Sequence, residues 1–181
     1  MKTLEHWIRI AKDDCGFDEA GNLNLSAVTF MPEVRDMCRA DRCNRYNKSW
    51  SCPPACGSLT KIQKDISAFH NGFLVQSIGQ LEDEFDVETM METEQLHKES
   101  FSQLVHQLAE SNTHFYAMSA GSCTICKECT YPDSPCRFPK EMFPSMEACG
   151  IMVSDVCRDS GMQYNHGKNT ICYTSCILIT F

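Results

Sequence analysis

Apolar positions recur along this chain at two different periods, and the switches between them divide it into elements. Leu4, Ile8, Ala11 and Cys15 fall at helical spacing with Gly16 directly after them, which predicts a first helix that stops at a glycine. Leu25 to Phe30 reads as a short strand. Ser58 stands where it caps a helix whose apolar face is Leu59, Ile62, Ile66 and Phe69, ending near Gly72. Phe73 to Ile78 is an apolar strand. An acidic segment from Glu82 to Glu94 leads into the longest helix, with Met90, His97, Phe101, Leu104, Val105 and Leu108 on one stripe. His114 to Ser119 reads as the next strand. Pro144 then opens a helix with Met146, Cys149, Val153, Val156 and Cys157 inward and Gly161 past its end. Thr170 to Phe181 closes the chain as a strand rich in β-branched residues.

Elements in that order describe an α/β chain, with α+β as the alternative. The expectation is one domain over residues 1–181, a mixed sheet of about four strands with helices packed on it and two cysteine-rich metal loops. The order strand, cysteine loop, helix, strand occurs twice, and right-handed crossovers would lay a helix over the sheet after each loop. With the first and third strands parallel, both loops leave the same sheet edge, each ahead of a helix N-terminus. Anything bound in one loop then lies within about 15 Å of the other, since adjacent strands are only about 5 Å apart.

The loops carry the candidate chemistry. Cys123, Cys126 and Cys129 follow one another at two-residue gaps, and Cys136 comes after a segment containing Pro132 and Pro135. A C-x2-C-x2-C run wraps the backbone around a centre larger than one ion and offers thiolates to three corners of a 4Fe-4S cube, leaving Cys136 for the fourth. Zinc sites more often use two separated C-x2-C knuckles around one tetrahedral ion. The triplet therefore favours an iron–sulfur cluster, with zinc as the alternative. Upstream, Cys38, Cys43, Cys52 and Cys56 are spaced more loosely. Pro53 and Pro54 lack amide hydrogens and hold the turn after Cys52 open. This quartet reads either as a second centre, iron–sulfur or zinc, or as a mixture of packing thiols and ligands to the downstream site.

The remaining cysteines read differently. Cys149 and Cys157 lie on the inward stripe of a predicted helix, where a thiol behaves as a small apolar group. Cys15 closes the first helix and reads as structural. Cys172 and Cys176 share a strand face and read as core thiols in preference to a redox pair. Glu147, inside the start of the predicted helix, reads as compensating its dipole. Arg137, Lys127 and Lys140 either offset a cluster's charge or are solvated surface groups.

Thirteen cysteines in 181 residues is a dense and odd number, so they cannot all pair within a monomer. Residues 1–15 interleave charges with apolar residues and hold no continuous apolar run of the kind a secretory leader has. No stretch approaches the length of a membrane-spanning helix. The expectation is a cytoplasmic chain without membrane association, in a reducing compartment where cysteine clusters are ligands rather than disulfides. A net charge of −8 with no basic stripe argues against nucleic acid as a main partner. No H-E-x-x-H, phosphate-binding loop or dinucleotide fingerprint is present, and the histidines are scattered.

Several segments, taken in order, share one resemblance. They are Arg35-Asp36-Met37-Cys38, Cys52-Pro53-Pro54, Gly121-Ser122-Cys123 with its triplet, Pro135-Cys136-Arg137-Phe138-Pro139, and Pro144-Ser145-Met146-Glu147-Ala148-Cys149-Gly150-Ile151. Together they resemble the predicted metal-binding proteins of domain of unknown function 2284, found largely in anaerobic bacteria and archaea. Met152 stands where that family has a charged or polar residue. The resemblance implies metal binding by cysteines and names no reaction. The functional expectation is a metal-binding protein with one or two cysteine-ligated iron–sulfur clusters, serving electron transfer or acting as a redox accessory to a protein partner. The alternatives are a zinc-stabilised protein-binding module and a reductive activator or enzyme with an open iron site.

Overall fold

The computed structural model describes residues 2–181; Met1, with which the leader reading begins, lies outside them. Helix α1 (Leu4–Asp13) starts where the Thr3 hydroxyl accepts the His6 N–H, buries Trp7 and Ala11, and is followed by Gly16 at φ +80°. Strand β1 (Glu19–Asn22) comes next, then a short helix α2 (Pro32–Met37). Helix α3 (Leu59–Ile66) is capped by Ser58 as its sequence predicts, and strand β2 (Asn71–Gln80) follows. The long helix α4 (Val87–Glu110) begins after Asp86, whose carboxylate accepts the Thr89 N–H. Strand β3 (His114–Met118), helix α5 (Val153–Asp159) and strand β4 (Thr170–Thr180) complete the order.

The sheet has the strand order β1-β2-β4-β3, and each neighbouring pair is antiparallel. The α/β architecture with a four-stranded sheet stands, but the parallel relation expected of the first and third strands does not: Leu25 to Phe30 is no strand, and β1 runs opposite to β3. Alternation along β2 and β4 divides two cores. Phe73, Val75, Ile177 and Ile179 face Trp7 of α1 and Phe101, Leu104 and Leu108 of α4. Leu74, Cys176 and Leu178 face Ile62 and Ile66 of α3 and Val156 and Cys157 of α5. Each such fully buried side chain contributes roughly 1.5–3 kcal/mol, so helices on both faces clamp the sheet. Cys15, Cys149, Cys157 and Cys176 are buried in these cores, in line with their reading as packing thiols. His97 is buried against β2 and β4, its ring nitrogens 2.9 Å from Ser77 Oγ and 2.7 Å from Ser175 Oγ.

Two elements depart from expectation. Leu25 to Phe30 is not a strand. Leu25–Ala27 is one 3-10 turn, because the Asn24 side chain accepts the Ser26 N–H and so ties the backbone into a turn. The helix expected from Pro144 starts only at Val153. Residues 145–150 form a turn instead, with the Cys149 N–H on Ser145 O at 3.1 Å and the Ile151 N–H on Met146 O at 2.9 Å. Gly150 has φ +77°, and a Cβ there would meet Leu59 Cδ2 at 2.8 Å and Met31 O at 3.1 Å. Its carbonyl is taken by the Met31 N–H at 2.7 Å, so this turn is pinned to the segment leading into α2. The doubled strand–loop–helix–strand order is therefore absent: the upstream loop follows α2, and the downstream loop runs into a turn.

Candidate metal centres

The upstream loop is wound by polar residues. Asp41, Asn44 and Asn47 all have positive φ, a conformation that short polar side chains tolerate best after glycine. The Asp41 carboxylate accepts the Tyr46 N–H at 2.8 Å and the Lys48 ammonium at 2.8 Å, and the Asn47 N–H donates to Pro53 O at 2.8 Å. These bonds fold the chain back so that Cys38, Cys43 and Cys52 line one cavity of about 190 Å³ with Glu147. Cys56 does not line it, although its thiol is close enough to Cys38 and Cys52 for their charges to act on one another. Its thiol is 3.8 Å from Ala148 O, within the field of Arg35.

Burial pushes the Cys38 thiol up to about 11, with the charges of Glu147 and the neighbouring thiols adding to it. Burial also raises Cys56, opposed by the positive charge of Arg35. Arg35 donates to Gly57 O at 2.6 Å through one guanidinium nitrogen, and its Nη1 is buried with no partner. A half-buried cation with an unused, buried donor nitrogen beside a thiol suits an anionic centre.

Cys123, Cys126, Cys129 and Cys136 line a single cavity on the downstream loop, together with Arg45, Ser49, Trp50 and Arg137. The loop holds itself by the Ser134 N–H on Thr130 O at 2.9 Å, the Thr130 hydroxyl on Pro135 O at 2.9 Å and Arg137 on Glu128 O at 3.0 Å. Cys129 differs from the other thiols. Burial acts to raise it, but the N–H groups of Tyr131, Trp50 and Thr130 and the Ser49 side chain outweigh that and leave it below the ordinary thiol value. Of the three cations singled out from sequence, Arg137 reaches this cavity; Lys127 and Lys140 are exposed and do not line it.

The two loops touch. The Cys123 N–H donates to Ser51 Oγ at 3.0 Å, and Ser51 immediately precedes Cys52. Trp50 Nε1 donates to Ser134 O at 3.2 Å, the Tyr131 hydroxyl to Asn47 Oδ1 at 2.9 Å, and the Trp50 and Tyr131 rings meet edge-on at 5.0 Å. Gly121, at φ +63°, and Ser122 carry the chain from β3 past the upstream cavity before Cys123 enters its own. The expected neighbourhood of the loops is present, produced by these contacts and not by parallel strands.

The structure thus gathers Cys123, Cys126, Cys129 and Cys136 around one cavity and Cys38, Cys43 and Cys52 around another, while Cys56 lines neither but lies within the field of Cys38 and Cys52. Among the described residues no group of three or more Cys, His, Asp or Glu side chains is arranged to hold a single metal ion. The downstream cavity, about 20 Å³, admits roughly one water, so a cluster seats there only with the thiols swung outward. The donor chemistry fits cysteine-ligated metal in both loops: four thiols with Arg45, Arg137 and the N–H groups turned on Cys129 downstream, and three thiols with Glu147 upstream, where Arg35 lies beside Cys56. Glu147, Arg35, Arg45 and Ser51 had no role at these sites in the sequence reading. Glu147 does not sit in a helix start, since that helix is a turn, and it faces the upstream cavity instead. Its signal was its place two residues ahead of a cysteine inside a shared motif.

Among the described residues no helix is long and apolar enough to cross a membrane. The family model for predicted metal-binding proteins, domain of unknown function 2284, matches residues 22–179. No curated protein and no solved structure matches the chain.

Proposed function

From the premise that the chain belongs to that family of predicted metal-binding proteins, we propose that it is a two-centre iron–sulfur protein that passes electrons to a redox protein partner in the cytoplasm. The observation that carries the reading is the joining of two cysteine-lined cavities through Ser51, whose hydroxyl accepts from Cys123 while its own carbonyl carbon bonds to Cys52. Cys123, Cys126, Cys129 and Cys136 hold the downstream centre. Cys38, Cys43 and Cys52 hold the upstream one, with Cys56 adjacent. A thiolate-bound cluster takes up and gives back single electrons at a potential set by charge and hydrogen bonds around its sulfurs.

Each remaining task belongs to the chain itself. Arg137 and Arg45 place positive charge at the downstream cavity, and Arg35 does so beside Cys56. The backbone donors on Cys129 stabilise its anionic form. The short route from Cys52 through Ser51 to Cys123 gives an electron one hydrogen bond to cross between loops. Anaerobic purification with iron, acid-labile sulfide and zinc quantified per chain tests the reading. Iron with matching sulfide agrees with it, and zinc without sulfide replaces it by a metal-stabilised binding module.

A further inference from the structure

The upstream cavity is walled by three thiols and a carboxylate. Cys38, Cys43, Cys52 and Glu147 line it, and Cys38, Cys43 and Glu147 also line a second, outer cavity of about 410 Å³. Cys56 lines neither of these two cavities, its sulfur being directed at Ala148 O at 3.8 Å. Glu147 is held at this place by the turn that replaces the expected helix. Ser145 Oγ accepts the Ala148 N–H at 3.2 Å, and the Gly150 carbonyl is tied to Met31 at the start of α2. The two segments that supply Cys38 and Glu147 are thereby fixed to each other. None of the four residues at the downstream cavity's ligand positions is a carboxylate.

We propose that Glu147 supplies the fourth ligand of the upstream centre, with Cys56 outside the ligand set. This rests on the iron–sulfur reading given above. A carboxylate is a harder donor than a thiolate and binds iron of a cluster less firmly, so the position it fills is the one that exchanges. The cavity on its outer side gives a small molecule access to that position. The ligand class it takes is a small anionic or thiol donor, and cyanide is the simplest probe. The downstream centre, whose four candidate ligands are all thiols, takes none.

The test uses the full chain reconstituted anaerobically with iron and sulfide, as wild type and as Cys52→Ser, Cys56→Ser, Glu147→Gln and Glu147→Cys. Iron and sulfide per chain and the reduced paramagnetic resonance spectrum are read with and without cyanide. Cys52→Ser loses the upstream share of iron, whereas Cys56→Ser keeps it. Cyanide alters the upstream signal of the wild type and leaves that of Glu147→Cys unchanged, a rescue that a merely structural glutamate would not give. Glu147→Gln lowers upstream iron or changes its spectrum with no cyanide added. The proposal is overturned if Cys56→Ser loses as much iron as Cys52→Ser, or if wild type and Glu147→Cys respond to cyanide alike. Unchanged iron in Cys52→Ser overturns the upstream centre itself, a separate failure from that of the ligand assignment.

Discussion

The two cysteine loops solve one problem with different materials. Downstream, a tight C-x2-C-x2-C run puts four thiols on one small cavity, and short local hydrogen bonds hold the loop. Upstream, the thiols are spread over nineteen residues, Cys38 to Cys56, and the chain reaches the cavity only by three left-handed Asp and Asn residues and a carboxylate lent by a distant turn. A motif with fixed short spacing carries its geometry in its own sequence. A loosely spaced one depends on tertiary contacts, so its ligand set must be read from the fold.

Loss of whole centres should show that difference most strongly. Cys126→Ser is expected to remove most downstream metal and leave the upstream share, seen as a drop to about half of wild-type iron if both loops bind the same kind of cluster. Unchanged iron would break the assignment of the triplet. Arg35→Gln is expected to weaken upstream metal by about 10–100-fold while sparing the downstream loop, because it removes the cation beside Cys56. Chelator competition on the two single-loop variants measures this, and equal weakening of both would dissolve the distinction.

A scaffold effect has to be separated from both. His97 is buried, and desolvation followed by the charge of Lys98 lowers it from 6.5 to about 3. Its folded pKa is depressed, so the folded protein stays neutral there while the unfolded chain takes a proton below about 6.5. Stability is therefore complete above that value and falls as pH drops toward 3. At about 1.4 kcal/mol per unit the loss at pH 5 is about 2 kcal/mol. Denaturant titration of the metal-free chain should show it, and His97→Gln should flatten the slope; an equal slope in the variant would place the acid loss elsewhere. The smallest effect concerns the junction. Ser51→Ala leaves the Cys123 N–H without its acceptor, worth about 1 kcal/mol in the metal-free chain because the site is only partly buried. A variant as stable as wild type would mean that the loops are held together by the Trp50 and Tyr131 contacts alone.

Much of the scaffold was legible before the structure. Ser58, the stripe from Phe101 to Leu108 and the β-branched run after Thr170 each announce their element, since period, cap and propensity agree. Strand β1 was not legible: Glu19-Ala20-Gly21-Asn22 has no β-branched residue, and pairing with β2 alone makes it a strand. The apolar spacing after Pro144 was legible but misleading. Met146 and Cys149 are buried as their positions suggest, yet Gly150 and the Met31 bond break the helix between them and α5. That break is what turns Glu147 toward the thiols, and no local pattern records a partner more than a hundred residues away.

On the proposed function each loop holds its own cysteine-ligated iron–sulfur centre. The most direct measurement is iron, acid-labile sulfide and zinc per chain in anaerobically prepared wild type and Cys126→Ser, side by side. Under that reading, two 4Fe-4S centres give about eight iron and about eight sulfide in the wild type, falling to about four of each in the variant, with negligible zinc. Zinc without sulfide, or iron and sulfide unchanged by Cys126→Ser, would contradict it.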